Sequence, residues 1–114
     1  MTVEAGPDIH ERPAALEARL QELVDIQEIT QLLTFVSSAA DAGQADAFAA
    51  QWLPEGTYNV GERTFAGRDN VRRVVAEGRH VEYMSEDCAH LLTPPHIRVD
   101  GDTATAVNYT VFAI

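Results

Sequence analysis

The chain has 114 residues, of which 46% are hydrophobic and 23% charged, with 7 glycines and 5 prolines. This length suits one domain with one core, and the composition excludes a disordered tail or a fibrous repeat. With 18 acidic and 8 basic residues the net charge is −10, which repels nucleic acid and anionic lipid surfaces at long range. We therefore expect no nucleic acid and no membrane among its partners.

Cysteine content and the N-terminal segment bear on the compartment. Cys88 is the only cysteine, so an internal disulfide is excluded. Residues 1–12 are acidic and polar, unlike a signal peptide, and no segment has the apolar length of a membrane span. We expect a cytoplasmic protein. All eight basic residues are arginine and alanine is abundant, which is typical of GC-rich bacterial genomes.

The first half of the chain is predicted to be helical after a flexible tail over residues 1–12. From Pro13 onward, leucines recur on one helical stripe, which predicts a first helix. Asp25 is predicted to cap a second helix over residues 26–41 that ends near Gly43. A short third helix over residues 46–52 would bring together Phe48 and Trp52, which are four positions apart.

The second half is predicted to be mostly strands. Residues 57–60 and 63–65 form a hairpin around Gly61, and a fourth helix spans 69–77 and ends at Gly78. Residues 79–86 carry no decisive pattern. A strand is predicted over 87–93, followed by a hairpin of 96–99 and 102–113 with Asp100-Gly101 as a type I′ turn. Helices followed by antiparallel strands predict an α+β fold.

Four segments carry a resemblance to a known family. They are residues 25–33 (DIQEITQLL), 41–56 (DAGQADAFAAQWLPEG), 65–69 (FAGRD), and His90 followed by 99–104 (VDGDTA). In this order and spacing they resemble the SnoaL-like branch of the nuclear transport factor 2-like (NTF2-like) superfamily, related to scytalone dehydratase-type and ketosteroid isomerase-type proteins. The resemblance covers residues 14–112.

The resemblance implies a cone-shaped fold, in which a curved antiparallel sheet of at least four strands wraps around helices and encloses a pocket. It also implies a homodimer, with a trimer as the alternative, a small-molecule ligand and no cofactor. Three departures stand out. Family members usually continue past Ile114 with one or two strands, so residues 13–114 are expected to form a domain that is incomplete at its C-terminus. Phe35 replaces a frequent tyrosine, and Pro94 replaces a frequent asparagine.

Asp41 and His90 are the candidate catalytic pair. In dehydratases of the superfamily an aspartate at the end of the second helix orients a histidine base, and the resemblance places these two residues at the matching positions. A neutral imidazole is a competent base near pH 7, and a carboxylate on its other nitrogen fixes the tautomer. The competing interpretation is a solvated Asp41 before Gly43 and a half-buried structural His90.

Four further residues are candidates for binding the substrate: Phe35, Trp52, Tyr58 and Asn108. The three aromatic residues could line an apolar pocket or simply pack in the core. Asn108 could hold a substrate oxygen, if its face of the last strand points inward. The opposite parity, with Val107, Tyr109 and Val111 in the core, is equally compatible with the sequence.

Three other features are better explained by structure than by chemistry. A lone Cys88 among apolar neighbours is usually unreactive. The side chains of His80, Glu82, His90 and His96 match no metal-binding spacing, so no metal is expected. Five arginines between Arg63 and Arg79 suggest a solvated helix face, with an anionic ligand as the minor interpretation.

The sequence supports three functions. The leading hypothesis is a cofactor-free lyase or isomerase that acts on a small apolar oxygenated molecule such as a polyketide, steroid or terpenoid. His90 would be the base, Asp41 its orienting partner, and Tyr58 or Asn108 the group that stabilises oxyanion charge. The alternatives are a non-catalytic module that binds a ligand or dimerises, and a metal-free hydrolase that uses the same pair to activate water.

Overall fold

The computed structural model describes residues 13–113, apart from the side chain of Arg79. The predicted tail over residues 1–12 lies outside the described residues. The described part contains four helices and six strands, which confirms the α+β class. In chain order they are α1 (Pro13–Asp41), α2 (Ala45–Ala49), β1 (Thr57–Val60), β2 (Arg63–Ala66), α3 (Arg68–Ala76), α4 (Arg79–Ser85), β3 (Ala89–Leu92), β4 (His96–Asp100), β5 (Thr103–Val107) and β6 (Thr110–Ala113).

Helix α1 is one continuous helix of 29 residues, so the predicted break at Asp25 is wrong. The side chain of Asp25 does not cap a new helix. It accepts a hydrogen bond from Gln21 Nε2 at 2.8 Å, four residues earlier on the helix surface. Since neither glycine nor proline occurs between Pro13 and Gly43, the backbone has no reason to leave the helix.

The C-terminal end of α1 is fixed by a glycine. Gly43 has φ +71°, the amide of Gln44 donates to the carbonyl of Ala39 at 2.9 Å, and the amide of Gly43 donates to that of Ala40 at 3.1 Å. These bonds form a Schellman motif, which needs a left-handed residue at this position. The motif ends α1 directly after Asp41, as predicted, and so determines where this carboxylate lies.

The core joins the end of α1 to α2 and α3. Its buried side chains are Ala39, Ala40, Ala45, Phe48, Val71 and Val75. The small alanines let the helices approach closely. Phe48 fills the space between them, and its ring centroid is 4.7 Å from that of Trp52, the predicted aromatic pair.

The strands form three antiparallel pairs, β1 with β2, β3 with β6 and β4 with β5. Among residues 13–113 no ladder of hydrogen bonds joins these pairs into one sheet, whereas we expected a sheet of at least four strands. The predicted long strand over residues 102–113 is interrupted at Asn108 and Tyr109, so it forms β5 and β6. Opposite this break lie Pro94 and Pro95, which have no amide hydrogen to donate to a ladder.

The break is a bulge in a long two-stranded ribbon. Leu92 pairs with Thr110, and the next pair is His96 with Val107. Three residues on one strand therefore face two on the other, one more than a regular ladder allows. The backbone is held across the gap by Thr93, whose amide donates to the carbonyl of Tyr109 at 2.9 Å.

The turn of the second hairpin also differs from the prediction. Asp100 pairs with Thr103, so the two loop residues are Gly101 and Asp102. Only Gly101 has a positive φ, +58°. A type I′ turn needs two positive φ angles, and a glycine followed by an ordinary residue favours type II′ instead. The first hairpin turns on Gly61 with φ +57°, as predicted.

Candidate active site

Asp41 and His90 are in direct contact. Asp41 Oδ1 lies 2.5 Å from His90 Nδ1, and Asp41 Oδ2 accepts a hydrogen bond from the backbone amide of His90 at 2.9 Å. The two side chains are 21% and 25% exposed, respectively. Because a carboxylate only accepts, Nδ1 carries the proton of this contact, and in the neutral ring Nε2 keeps its lone pair.

His90 lies in the wall of two adjoining cavities. The outer cavity has a volume of about 540 Å³, and the inner one has a volume of about 300 Å³. Four residues line both: Tyr58, Val74, His80 and His90. The imidazole is therefore accessible to a ligand in either cavity, in a volume typical of small-molecule sites.

His80, which we considered only as a metal ligand, is a second histidine of this wall. Its Nε2 donates to the carbonyl of Ala40 at 2.6 Å, and its ring is stacked on that of His90 at a centroid distance of 6.4 Å. The contact anchors α4 to the end of α1. The weak pattern over residues 79–86 hid this helix, so no sequence signal placed His80 beside His90.

Tyr58 lines both cavities. Burial raises the pKa of the Tyr58 hydroxyl above its usual value of 10.0, because the charged form is poorly solvated there. The hydroxyl thus stays protonated at neutral pH and is able to donate a hydrogen bond.

Asn108 lies in the wall of the inner cavity with Thr110. Its Nδ2 is buried and has no hydrogen-bond partner among the described residues. Val107, Tyr109 and Val111 are exposed instead, so the even-numbered residues face inward here. A buried, unpaired amide is costly unless a ligand or water satisfies it.

Phe35 and Trp52 do not line either cavity. Phe35 is 43% exposed on α1. Trp52 packs against Phe48 and Tyr58, and its indole nitrogen donates to the carbonyl of Thr57 at 3.2 Å. Trp52 therefore packs against Tyr58 without lining the cavities. In the cavity wall the structure has Tyr83 and Phe112 instead, with ring centroids 5.2 Å apart.

The geometry supports neither a nucleophilic Cys88 nor a metal site. Burial and, next, the nearby carboxylate of Asp41 raise the pKa of the Cys88 thiol, which disfavours the reactive thiolate. Within residues 13–113, no three histidine, cysteine or acidic side chains are grouped so that they could hold a metal ion. In the same range no helix is both long and apolar enough to cross a bilayer.

The fold and the sequence identify the family. Residues 21–114 match the SnoaL-like domain, and the chain belongs to this family within the NTF2-like superfamily. An NTF2-like protein with a cystatin-like fold from Novosphingobium aromaticivorans is 37% identical, with a TM-score of 0.82. The match covers 87% of this chain and 65% of that one, so the chain spans about two thirds of that relative.

A second solved structure, of a protein from Catenulispora acidiphila, has a TM-score of 0.63 at 21% identity. The match covers 82% of this chain and 67% of the other. At this identity the likeness shows the fold alone. No protein among those with curated descriptions matches the sequence.

Proposed function

We propose that this protein is a cofactor-free lyase or isomerase that uses His90 as a general base on a small, apolar, oxygenated substrate. The observation that carries the proposal is the contact of Asp41 with Nδ1 of His90, at the junction of the two cavities. This arrangement directs the basic lone pair to Nε2 and stabilises the imidazolium that forms when Nε2 takes a proton.

The reaction begins at a carbon next to a carbonyl group. His90 Nε2 removes a proton from that carbon, and the electron pair of the C–H bond moves to the carbonyl oxygen to give an enolate. The Tyr58 hydroxyl or the Asn108 amide donates a hydrogen bond to this oxygen. When the enolate collapses, the carbonyl group re-forms. Either the C–O bond to a hydroxyl group on the next carbon breaks, and this group leaves as water with the proton from His90, or His90 returns the proton to a different carbon.

The cavity walls support an apolar substrate. Half of the twelve residues that line the outer cavity are aromatic or aliphatic, namely Tyr58, Val60, Phe65, Val74, Tyr83 and Phe112. A fused-ring or isoprenoid body, as in a polyketide, a steroid or a terpenoid, fits such a lining.

We also propose that the protein forms a homodimer through its strands. The outer strand patch, defined as Leu91, Val107, Tyr109 and Val111, is between 59% and 82% exposed. Leu91 and Val111 pair directly across β3 and β6, so their side chains share one face. An exposed apolar patch of this kind is typical of an interface between subunits. Phe112, which follows Val111 in β6, is not part of this patch and lines the outer cavity.

A proton-exchange experiment tests the chemistry without knowledge of the substrate. The full chain is incubated in D₂O with 2-tetralone, an apolar aromatic ketone, and loss of the α-proton signal is followed by NMR. We expect the wild type to accelerate exchange and His90→Gln to reduce the enzymatic rate by about 10²- to 10⁴-fold. His96→Gln is the matched control, because His96 is exposed on β4. Equal rates for wild type and His90→Gln would favour the non-catalytic module.

A further inference from the structure

We propose that Arg63 is an anion-binding residue of the outer cavity, so that the ligand is an apolar molecule that carries a carboxylate. This inference deepens the proposed function and rests on it for the identity of the site. The observations that support it do not involve His90. Two arginines, Arg63 and Arg73, line the outer cavity.

The two arginines differ in their partners. Arg73 Nε donates to Glu77 Oε2 at 2.9 Å, so a carboxylate of the protein already neutralises part of its charge. Arg63 has no carboxylate within 4.0 Å among the described residues. A cation in a cavity wall without an internal counter-ion attracts an external one, and a guanidinium binds a carboxylate with two parallel hydrogen bonds.

Arg63 is exposed to solvent, and one contact places its guanidinium group at the cavity. Its guanidinium carbon lies 5.0 Å from the ring centroid of Phe65, over the face of the ring, and Phe65 itself lines the cavity. The cation–π contact holds the charged group against the apolar wall. The cavity therefore presents Arg63 and His90 on one continuous surface with aromatic side chains, which suits a ligand with an apolar body and one acidic group.

The negative net charge of the protein bears on the part that Arg63 plays in ligand selection. At a net charge of −10, the protein as a whole repels an anionic ligand. A guanidinium without an internal partner overcomes this repulsion only within a few ångströms, because solvent and salt screen it farther away. Selectivity for a carboxylate thus depends on Arg63 and not on the general field of the molecule.

Two matched probes test the inference by direct binding. They are 2-naphthoic acid and its neutral analogue 2-naphthamide, titrated into the full chain by calorimetry at pH 7. We expect wild type to bind the acid about tenfold more tightly than the amide, as one charge-assisted contact implies. Arg63→Gln should abolish the preference, because binding of the acid should weaken by about tenfold relative to binding of the amide. Arg98→Gln is the control, since Arg98 is an exposed arginine of β4, and it should retain the preference.

The outcomes separate this inference from the proposed chemistry. Equal affinity for the two probes in wild type, a preference that survives Arg63→Gln, or no binding of either probe at millimolar concentration would overturn it. If 2-tetralone exchange fails while the Arg63-dependent preference is observed, the base chemistry is wrong and the carboxylate site stands. If exchange is observed without the preference, only the carboxylate site is wrong.

Discussion

Asp41 holds both the ring and the backbone of His90, although 49 residues separate them in the chain. One carboxylate oxygen fixes the orientation of the imidazole, and the other attaches strand β3 to the end of helix α1. Asp41 thus has a structural role, and in the proposed reaction it is also the residue that positions His90.

Replacing Asp41 with asparagine should lower stability. An asparagine side chain has one acceptor oxygen and one donor amide, so it cannot accept both hydrogen bonds from His90. We expect the free energy of unfolding to fall by about 1–3 kcal/mol, the cost of leaving a partly buried donor unpaired. Urea denaturation measures this change in the free energy of unfolding. Asp25→Asn, which changes only the exposed contact with Gln21, should have a small effect, and a similar loss in both variants would contradict the prediction.

Gly43→Ala should destabilise the protein more than Gly61→Ala. Both glycines have positive φ angles, of +71° and +57°. An alanine at either position therefore incurs the same backbone penalty of about 1–2 kcal/mol. A Cβ at Gly43 would lie 2.8 Å from Met84 Sδ, whereas a Cβ at Gly61 would meet nothing within 4 Å. We expect an additional loss of about 1 kcal/mol at Gly43 from the displaced methionine.

A double-mutant cycle isolates that contact. In a Met84→Ala background the sulfur is absent, so Gly43→Ala should cost no more than Gly61→Ala, as measured by thermal or urea unfolding. An excess cost that persists in this background would show that the contact with Met84 is not its cause.

Alkylation of Cys88 should depend on the charge of Asp41. Burial raises the pKa of the Cys88 thiol most, and the carboxylate of Asp41 raises it further. Removing the carboxylate with Asp41→Asn lowers the pKa, so more thiolate is present at a given pH and iodoacetamide reacts faster. The rate profile should therefore shift to lower pH, whereas Asp25→Asn should leave it unchanged. An equal acceleration at every pH would indicate greater exposure of the thiol instead.

Tyr109→Asp should dissociate the proposed dimer. Tyr109 is 82% exposed in the outer strand patch, and a carboxylate buried without a partner at an interface is strongly unfavourable. Light scattering should give about twice the mass of one chain for wild type and the mass of one chain for the variant. Leu53→Asp, at an exposed leucine outside the patch, should remain dimeric. A wild-type monomer or trimer would rule out the proposed assembly.

The sequence predicted those parts of the fold that local chemistry decides. Gly43 ends α1, Gly61 turns the first hairpin, and the apolar spacing locates α3 within one residue. The false break at Asp25 shows the limit of such signals. A capping pattern indicates a helix start only where the backbone leaves the helix, and this depends on the whole of α1.

Only those residues of the candidate site that stand at positions matching the family could be predicted from the sequence. Asp41 and His90 were found through matching positions, and no local rule joins residues this far apart in the chain. His80 was considered only as a metal ligand, and Arg63 only within a group of five arginines with an anionic ligand as the minor interpretation. Their place in the cavity wall depends on how α4 and the first hairpin pack. Phe35 was selected by the same resemblance and lies on the exposed side of α1.

The bulge between β3 and β4 has a consequence for insertions and deletions. On one side of it His90 and Leu92 line a cavity, and on the other Ile97 and Val99 are the half-buried residues. The inward positions thus change from even to odd numbers, which the single extra residue makes possible. Deleting one residue from 93–95 would turn one of these pairs outward. This connection should tolerate changes of residue type far better than changes of length, because its length keeps His90 and the neighbouring hairpin facing the same interior.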